Sequence, residues 1–194
     1  MRVEILSELE PGDSTLEIPW ASPNRPLLRY VDLRRFPEKI LSLAECRSNP
    51  PLARLLQRVN MPGSTFRTAK CDFEATTQLT DEEELDFQLP LKVGGYVDLV
   101  FERSDLHSRL DPHVRLARNL ERSLAGCRLR AQMSIVVRRC LYHEDRKWGY
   151  SLTFFIYAYG ATRSTAKRDW ARALDKLGDA LAKIAPQFPK KSAK

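Results

Sequence analysis

The residues with the clearest chemical potential are cations and hydroxyls near the C-terminus: Arg163, Ser164, Thr165, Lys167 and Arg168. They begin a segment whose apolar residues recur at helical spacing, so we expect them in the first turns of a helix. Cations there oppose the helix macrodipole, and the free backbone N–H groups of a helix start can hold an anion. We therefore interpret this group as a candidate anion-binding site, to which Arg138 of an earlier strand could contribute. The alternative is a solvated helix end.

A second set of polar residues alternates with apolar ones along the predicted strands. Its carboxylates are Asp72, Glu74, Asp98 and Glu102, and it also contains Lys70, Gln132, Ser134 and Arg138. Side chains two apart share one face of a strand, so this set defines a polar sheet face. If the sheet curves, the polar face could converge on a small ligand, and paired carboxylates could carry out acid–base chemistry. The alternative is a solvated face with cross-strand ion pairs.

Motifs for other chemistries are missing from the sequence. Gly94-Gly95 stands outside any nucleotide-binding fingerprint and is interpreted as a turn that enters a strand, and no GxSxG motif occurs. The three histidines lack metal-ligand spacing, and the four cysteines form no CxxC pair. We therefore expect no metal, no cofactor and no catalytic residue, and we interpret the cysteines as buried or half-buried thiols.

The first half of the chain contains few regular patterns. Residues 1–35 hold four prolines and predict an irregular N-terminal segment. Two short helices follow, the first from Pro37 to about Cys46 and the second after Asn49, with an apolar stripe from Leu52 to Val59. Strict alternation then predicts a strand over 66–77.

The second half shows stronger periodicity. We predict an acidic turn or one helical turn capped by Thr80, a short edge strand over 85–89 and a strand over 96–102. A helix capped by Asp111 follows and ends near Gly126. Residues 129–141 and 148–159 predict a long antiparallel hairpin, and a long helix runs to Ala185 with the stripe Trp170, Leu174, Leu177, Leu181 and Ile184.

This element order predicts an α+β fold. It consists of an antiparallel sheet of about five strands, with the long C-terminal helix packed on one face and two short N-terminal helices. We expect a single domain over 36–188, preceded by the irregular segment 1–35 and followed by a basic tail at 189–194. Phe155, Tyr157 and Tyr159 give the second hairpin strand an aromatic back face, which needs cover from a homodimer or from residues 1–60.

Composition is that of a globular protein, with 43% hydrophobic and 29% charged residues. There is no secretory signal and no apolar stretch long enough to cross a bilayer, which favours a cytoplasmic protein.

The net charge of +7 is unevenly distributed along the chain. Residues 1–125 hold 17 Lys and Arg against 20 Asp and Glu, whereas residues 126–194 hold 15 against 5. The basic C-terminal third favours a phosphate-bearing partner.

Three segments, 93–101, 130–138 and 149–155, together with the terminal helix, resemble the second half of a PilZ domain. Such domains are small β-barrels, many of which bind cyclic di-GMP. The arginine motif of the family, RxxxR, is matched only by Arg54 and Arg58, on a predicted helix, and its [D/N]xSxxG motif is missing from residues 76–95. The resemblance thus implies a degenerate PilZ-like domain. The element order is also similar to that of helix-grip folds.

The sequence leads to a ranked set of hypotheses about function. The first is a binding or interaction module, without enzymatic activity, for a phosphate-bearing ligand or nucleic acid through the basic C-terminal third. The alternative is a small-ligand binder or enzyme that uses the polar sheet face. A degenerate PilZ-like domain or an oligomerising structural protein is the weaker alternative.

Overall fold

The computed structural model describes residues 1–22, 25–76, 78–144 and 146–188, with the side chains of 25–28 excepted. The tail predicted at 189–194 and Asp145 of the predicted hairpin turn lie outside these residues. The described chain forms a main sheet of six strands, a two-stranded sheet and a layer of helices on one face of the main sheet.

The strands are β1 (Arg2–Glu8), β2 (Leu16–Ile18), β3 (Ala21–Ser22), β4 (Arg25–Arg29), β5 (Phe66–Thr76), β6 (Leu91–Phe101), β7 (Ala131–Tyr142) and β8 (Lys147–Gly160). The helices are α1 (Ala44–Arg47), α2 (Pro50–Asn60), α3 (Asp81–Phe87), α4 (Ser104–His107), α5 (Leu110–Leu124) and α6 (Arg163–Ile184). Short 3₁₀ helices cover Pro37–Ser42 and Ala185–Gln187. This is the mixed α and β architecture that the sequence predicts.

The main sheet has the strand order β1-β7-β8-β6-β5, and β2 pairs with β7 farther along that strand. The predicted hairpin is confirmed, and the pairs β6–β8 and β5–β6 are also antiparallel. In contrast, β1 and β2 run parallel to β7, with Arg2 opposite Gln132 and Glu8 opposite Arg138. The N-terminal segment predicted to be irregular therefore supplies one edge of the sheet, and the sheet is not antiparallel throughout.

The long helix α6 packs on the sheet along the predicted stripe. Trp170, Leu174, Leu177, Leu181 and Ile184 are all buried in one core with Ile135, Val137, Leu152 and Phe154. The indole Nε1 of Trp170 also donates a hydrogen bond to the carbonyl of Ile156 at 3.1 Å. Apolar burial along a helix face is the dominant stabilising term in such a layer.

Two local predictions need correction. Residues 85–89 are not a strand, because α3 continues to Phe87 and ends at Gln88 with a left-handed backbone (φ 52°). The Thr80 hydroxyl and the Glu83 carboxylate form a reciprocal capping box that starts this helix. Helix α5 begins before Asp111, with Arg109 at its N-cap, so Asp111 does not cap it.

Gly94-Gly95 lies inside β6 and not at a turn that enters it. A Cβ atom on Gly94 would lie 2.1 Å from the carbonyl oxygen of Ile156 on β8, and one on Gly95 would lie 2.1 Å from the carbonyl of Asp72 on β5. The two glycines therefore allow close approach of the neighbouring strands.

Among the described helices, none combines the length and apolarity needed to cross a bilayer.

Candidate functional site

The N-terminal segment crosses the sheet face opposite the helices. After β2 pairs with β7 at one edge, the chain reaches β5 at the other edge, where the indole Nε1 of Trp20 donates to the carbonyl of Ala69 at 2.8 Å. Ile18 of this crossing segment packs on the sheet in a small second core with Val100, Cys140 and Tyr142. This packing fixes residues 16–20 against the sheet, where they form a wall at one end of its polar face.

Cross-strand register aligns five polar side chains across the sheet, and hydrogen bonds or ion pairs link four of them. Lys70, Asp98 and Thr153 lie directly opposite one another on β5, β6 and β8. The Thr153 hydroxyl donates to Asp98 Oδ1 and accepts from Arg138 Nη1 at 3.4 Å. The Arg138 guanidinium in turn forms a bidentate ion pair with Glu8 on β1, at 2.7 and 2.9 Å. The Asp98 carboxylate is thus held in one orientation.

Asp98 is the most perturbed carboxyl group on this face. Its side chain is buried, with 4% of the residue exposed. Burial raises the pKa of Asp98 to about 6, while the Thr153 hydrogen bond and the positive charges of Arg138 and Lys70 oppose that rise. A buried carboxyl group with a shifted pKa that faces a cavity is characteristic of binding and catalytic sites.

Lys70 lies between two aromatic rings. Its ammonium group is 5.2 Å from the centre of the Trp20 ring and 5.6 Å from that of Tyr96. Burial lowers the pKa of Lys70, but the Tyr96 hydroxyl and the carboxylates of Asp98 and Asp72 more than offset this effect, so the pKa is raised overall. Lys70 forms no ion pair within 4 Å with a carboxylate of the described residues, so its charge is available to a ligand.

Two adjoining cavities meet at these residues, with volumes of about 320 and 460 Å³. Both are lined by Lys70 and Tyr96. The smaller one is completed by Ser14, Thr15, Leu16, Asp98, Arg138 and Phe155. The larger one extends past Trp20, Leu43, Glu45, Cys71 and Asp72 to the two-stranded sheet. We call the two cavities together the Asp98 cleft. Its volume and its mixture of aromatic walls with a few charges suit a small organic molecule.

The four predicted carboxylates do not converge on this cleft. Asp98 and Asp72 line it, one in each cavity. Glu74 lies farther along β5 and interacts with the Tyr157 hydroxyl. Glu102 follows β6 and pairs with Arg34 at 2.9 Å and Arg67 at 3.6 Å. Of the four carboxylates, Asp98 and Asp72 therefore line the cleft, and Glu74 and Glu102 lie outside it.

The residues predicted as an anion site are dispersed around the start of α6. The Thr162 and Thr165 side chains form a capping box that uses the backbone N–H groups of both residues. Arg163 lines a hollow beside Leu91 and Lys92, whereas the ammonium of Lys167 lies 5.5 Å from the Phe73 ring. Ser164 is exposed in the first turn of α6. Thr165 and Arg168 line a different hollow.

Arg138 does not approach the start of α6. It lies opposite Ser151, whereas Ala131, at the other end of β7, lies opposite Ala158 near the helix start. The strand rise places Arg138 about 23 Å along β7 from that end. Arg138 belongs instead to the Asp98 cleft.

The described part of the chain contains no cluster of three or more His, Cys, Asp or Glu side chains that could hold a metal ion. The cysteines are free thiols, buried at Cys46 and Cys140 and half-buried at Cys71 and Cys127. Arg54 and Arg58, the RxxxR pair, lie on α2 and pair with Asp175 and Asp179 of α6.

Comparison with protein-family models, with curated proteins and with solved structures finds no match to this chain.

The sequence did not indicate several of the residues that line the Asp98 cleft. The alternation over 148–159 indicates which strand face Thr153 and Phe155 occupy, but no sequence pattern places Trp20 or Ser14 in the Asp98 cleft.

Proposed function

We propose that this protein binds a small organic molecule in the Asp98 cleft. The observation that carries the proposal is the juxtaposition of a buried carboxyl group, Asp98, with the ammonium of Lys70 at the junction of two cavities. Thr153 donates to Asp98 and the Tyr96 hydroxyl interacts with Lys70, but neither charged group forms an ion pair within 4 Å among the described residues. Desolvation of a charge is costly, so a ligand with complementary groups would stabilise both.

The chemistry of the walls defines the ligand class. Lys70 favours an anionic group such as a carboxylate, and the ionised Asp98 favours a hydroxyl or amino donor. Tyr96 and Phe155, whose ring centres are 5.8 Å apart, and the indole of Trp20 provide aromatic surface for a planar body. We propose a hydroxy- or amino-substituted aromatic carboxylate. A pKa of about 6 would also allow Asp98 to exchange a proton with such a ligand, which is the enzymatic alternative.

Thermal unfolding and isothermal titration calorimetry at pH 7.5 test this proposal. The first probe is 4-hydroxybenzoate, and benzoate serves as the matched compound without a hydroxyl donor. We expect 4-hydroxybenzoate to raise the melting temperature in a concentration-dependent manner, because a ligand that binds only the folded state stabilises it by mass action. Benzoate should bind more weakly, because Asp98 then lacks a donor.

Three variants connect the binding to the cleft. Lys70→Met should reduce the affinity for both compounds at least about tenfold, the loss of one charge-assisted hydrogen bond. Asp98→Asn should remove the preference for 4-hydroxybenzoate over benzoate. Lys176→Met, at an exposed position of α6, is the control and should bind as the parent does. The proposal is wrong if related hydroxy- and amino-benzoates also leave the melting temperature unchanged, or if Lys70→Met binds as well as the control.

A further inference from the structure

A second concave surface lies at the opposite end of β7, between the loop that follows α5 and the first turns of α6. This hollow has a volume of about 560 Å³. Four arginines from two separate segments line it: Arg128, Arg130, Arg168 and Arg172. All four are exposed. We call this surface the arginine hollow.

The arginine hollow has a strong excess of positive charge. Asp169 is the carboxylate that lines it, 3.9 Å from the Arg168 guanidinium and 3.7 Å from that of Arg172. Arg128 and Arg130 form no ion pair with any carboxylate of the described residues. Four arginines and one aspartate leave a net charge of +3 around one cavity. An anion in the hollow would relieve the repulsion among them.

The sequence of α6 continues this positive charge beyond the hollow, and its later acidic residues pair with another helix. Lys176 follows Arg172 by four residues, as Arg172 follows Arg168, and like charges at this spacing destabilise a helix. Asp175 and Asp179 could compensate them, but each pairs with an arginine of α2, at 3.3 and 2.8 Å. Asp169 compensates this local cost only in part, and such a residual cost is typical of a surface that meets a partner.

The groups in the hollow favour phosphate over other anions. The planar guanidinium of arginine matches phosphate oxygens with two parallel hydrogen bonds. The backbone donors at the start of α6 contribute less, because Thr162 and Thr165 already use two of them. Tyr159, the aromatic residue of the hollow, is only 1% exposed and stacks on Phe87, so its ring cannot receive a base. Recognition would therefore be of the phosphate backbone and independent of base sequence.

We propose that the arginine hollow binds the phosphate backbone of a nucleic acid strand. Successive cations along α6 are about 6 Å apart, four residues at the helical rise, which lets one strand contact several of them. The positive charge of the hollow together with that of Lys176 exceeds the negative charge of a single phosphate group. This surface is distinct from the Asp98 cleft, so each proposal can fail without the other.

Fluorescence anisotropy with a labelled oligothymidylate tests this inference. Binding by the full chain should weaken linearly in a plot of log affinity against log salt, with a slope of about −3 for four neutralised phosphates of a single strand. Arg128→Glu combined with Arg130→Glu should lower the affinity at least tenfold and reduce the slope by about one to two. Arg168→Gln combined with Arg172→Gln should give a similar loss from the helix side.

The control is Arg35→Glu combined with Lys39→Glu, two exposed cations beside Phe36 near the other end of the sheet. This variant changes the net charge by the same amount as the first pair, so it separates a local site from general attraction. It should bind as the parent does. Equal losses in the control and in the Arg128 and Arg130 variant would overturn the proposal. So would binding of pyrophosphate to the hollow without binding of the oligonucleotide, which would assign the hollow to a small phosphorylated ligand.

Discussion

Asp98 imposes a stability cost on the folded protein near neutral pH. Its pKa is about 6 in the folded state and about 3.9 in an unfolded chain, so the folded state holds the proton more tightly. The stability that Asp98 contributes is therefore complete below about pH 4 and is lost as pH rises through 6. The difference corresponds to about 3 kcal/mol at neutral pH. A residue retained at such a cost is typical of a functional site.

Replacing Asp98 with Asn should stabilise the protein in a pH-dependent manner. The amide keeps an acceptor for the Thr153 hydroxyl but removes the buried charge. We expect the free energy of unfolding of Asp98→Asn to exceed that of the parent by about 1–3 kcal/mol at pH 7.5, with the difference falling toward zero at pH 4. Urea unfolding of both proteins at several pH values between 4 and 7.5 measures this difference.

His113 titrates over the same range and must be separated from Asp98. Burial lowers the pKa of His113 to about 4, so its stabilising contribution is present above pH 6.5 and is lost as pH falls through 4. This loss occurs equally in the parent and in Asp98→Asn, and it cancels in the difference between them. A difference that stayed constant across pH would show that the Asp98 carboxyl is not perturbed.

At the scale of single residues, the sequence predicts on which face of the sheet Asp98 lies, but it does not predict which residues surround its side chain. Alternation along 96–102 places Asp98 on the polar face, because side-chain direction in a strand depends only on local geometry. Its burial depends on residues 14–20, which reach it only through the fold. The sequence does not single out Arg128 and Arg130 as site residues, because only the tertiary fold brings this segment beside Arg168 and Arg172.

Among the elements, α6 carries the largest share of the core facing the sheet. Leu177 is fully buried at the centre of its apolar stripe. Leu177→Ala should lower the free energy of unfolding by about 2–5 kcal/mol, because it removes buried apolar contacts and leaves a cavity. Urea unfolding measures this loss. Leu41→Ala, at a residue that is 63% exposed, is the control and should change stability by less than about 0.5 kcal/mol. A loss at Leu177 no larger than at Leu41 would contradict the docking of α6.

Prediction at the element scale succeeded where local pattern and tertiary structure agree. The β7–β8 hairpin and α6 have long, unbroken periodicity, and both appear as predicted. The segment 85–89 alternates like a strand, but the capping box at Thr80 and Glu83 starts a helix that includes its first three residues. The partner of β1 lies about 130 residues later in the chain. No local pattern could reveal that parallel pairing, so the N-terminal segment was expected to be irregular.

In the whole molecule, the chain covers much of its own aromatic sheet face. Tyr159 is buried because the Phe87 ring of α3 stacks on it at 3.8 Å and its hydroxyl donates to Glu83. Phe155 is half-buried at the edge of the cleft that the N-terminal segment walls. Cover therefore comes from α3 as well as from residues 1–60, and a second copy is not required to bury Tyr159.

We accordingly expect the protein to be a monomer that self-associates when α3 no longer covers the sheet. Phe87→Ser should expose the ring of Tyr159 and enlarge the apolar surface beside Tyr157, which favours association. Leu85→Ser, on the same helix at a residue that is 77% exposed, is the matched control and should remain monomeric. Sedimentation velocity over a range of concentrations measures all three proteins. A parent protein that sediments as a dimer at low concentration would contradict this expectation and would support the homodimer predicted from the aromatic strand.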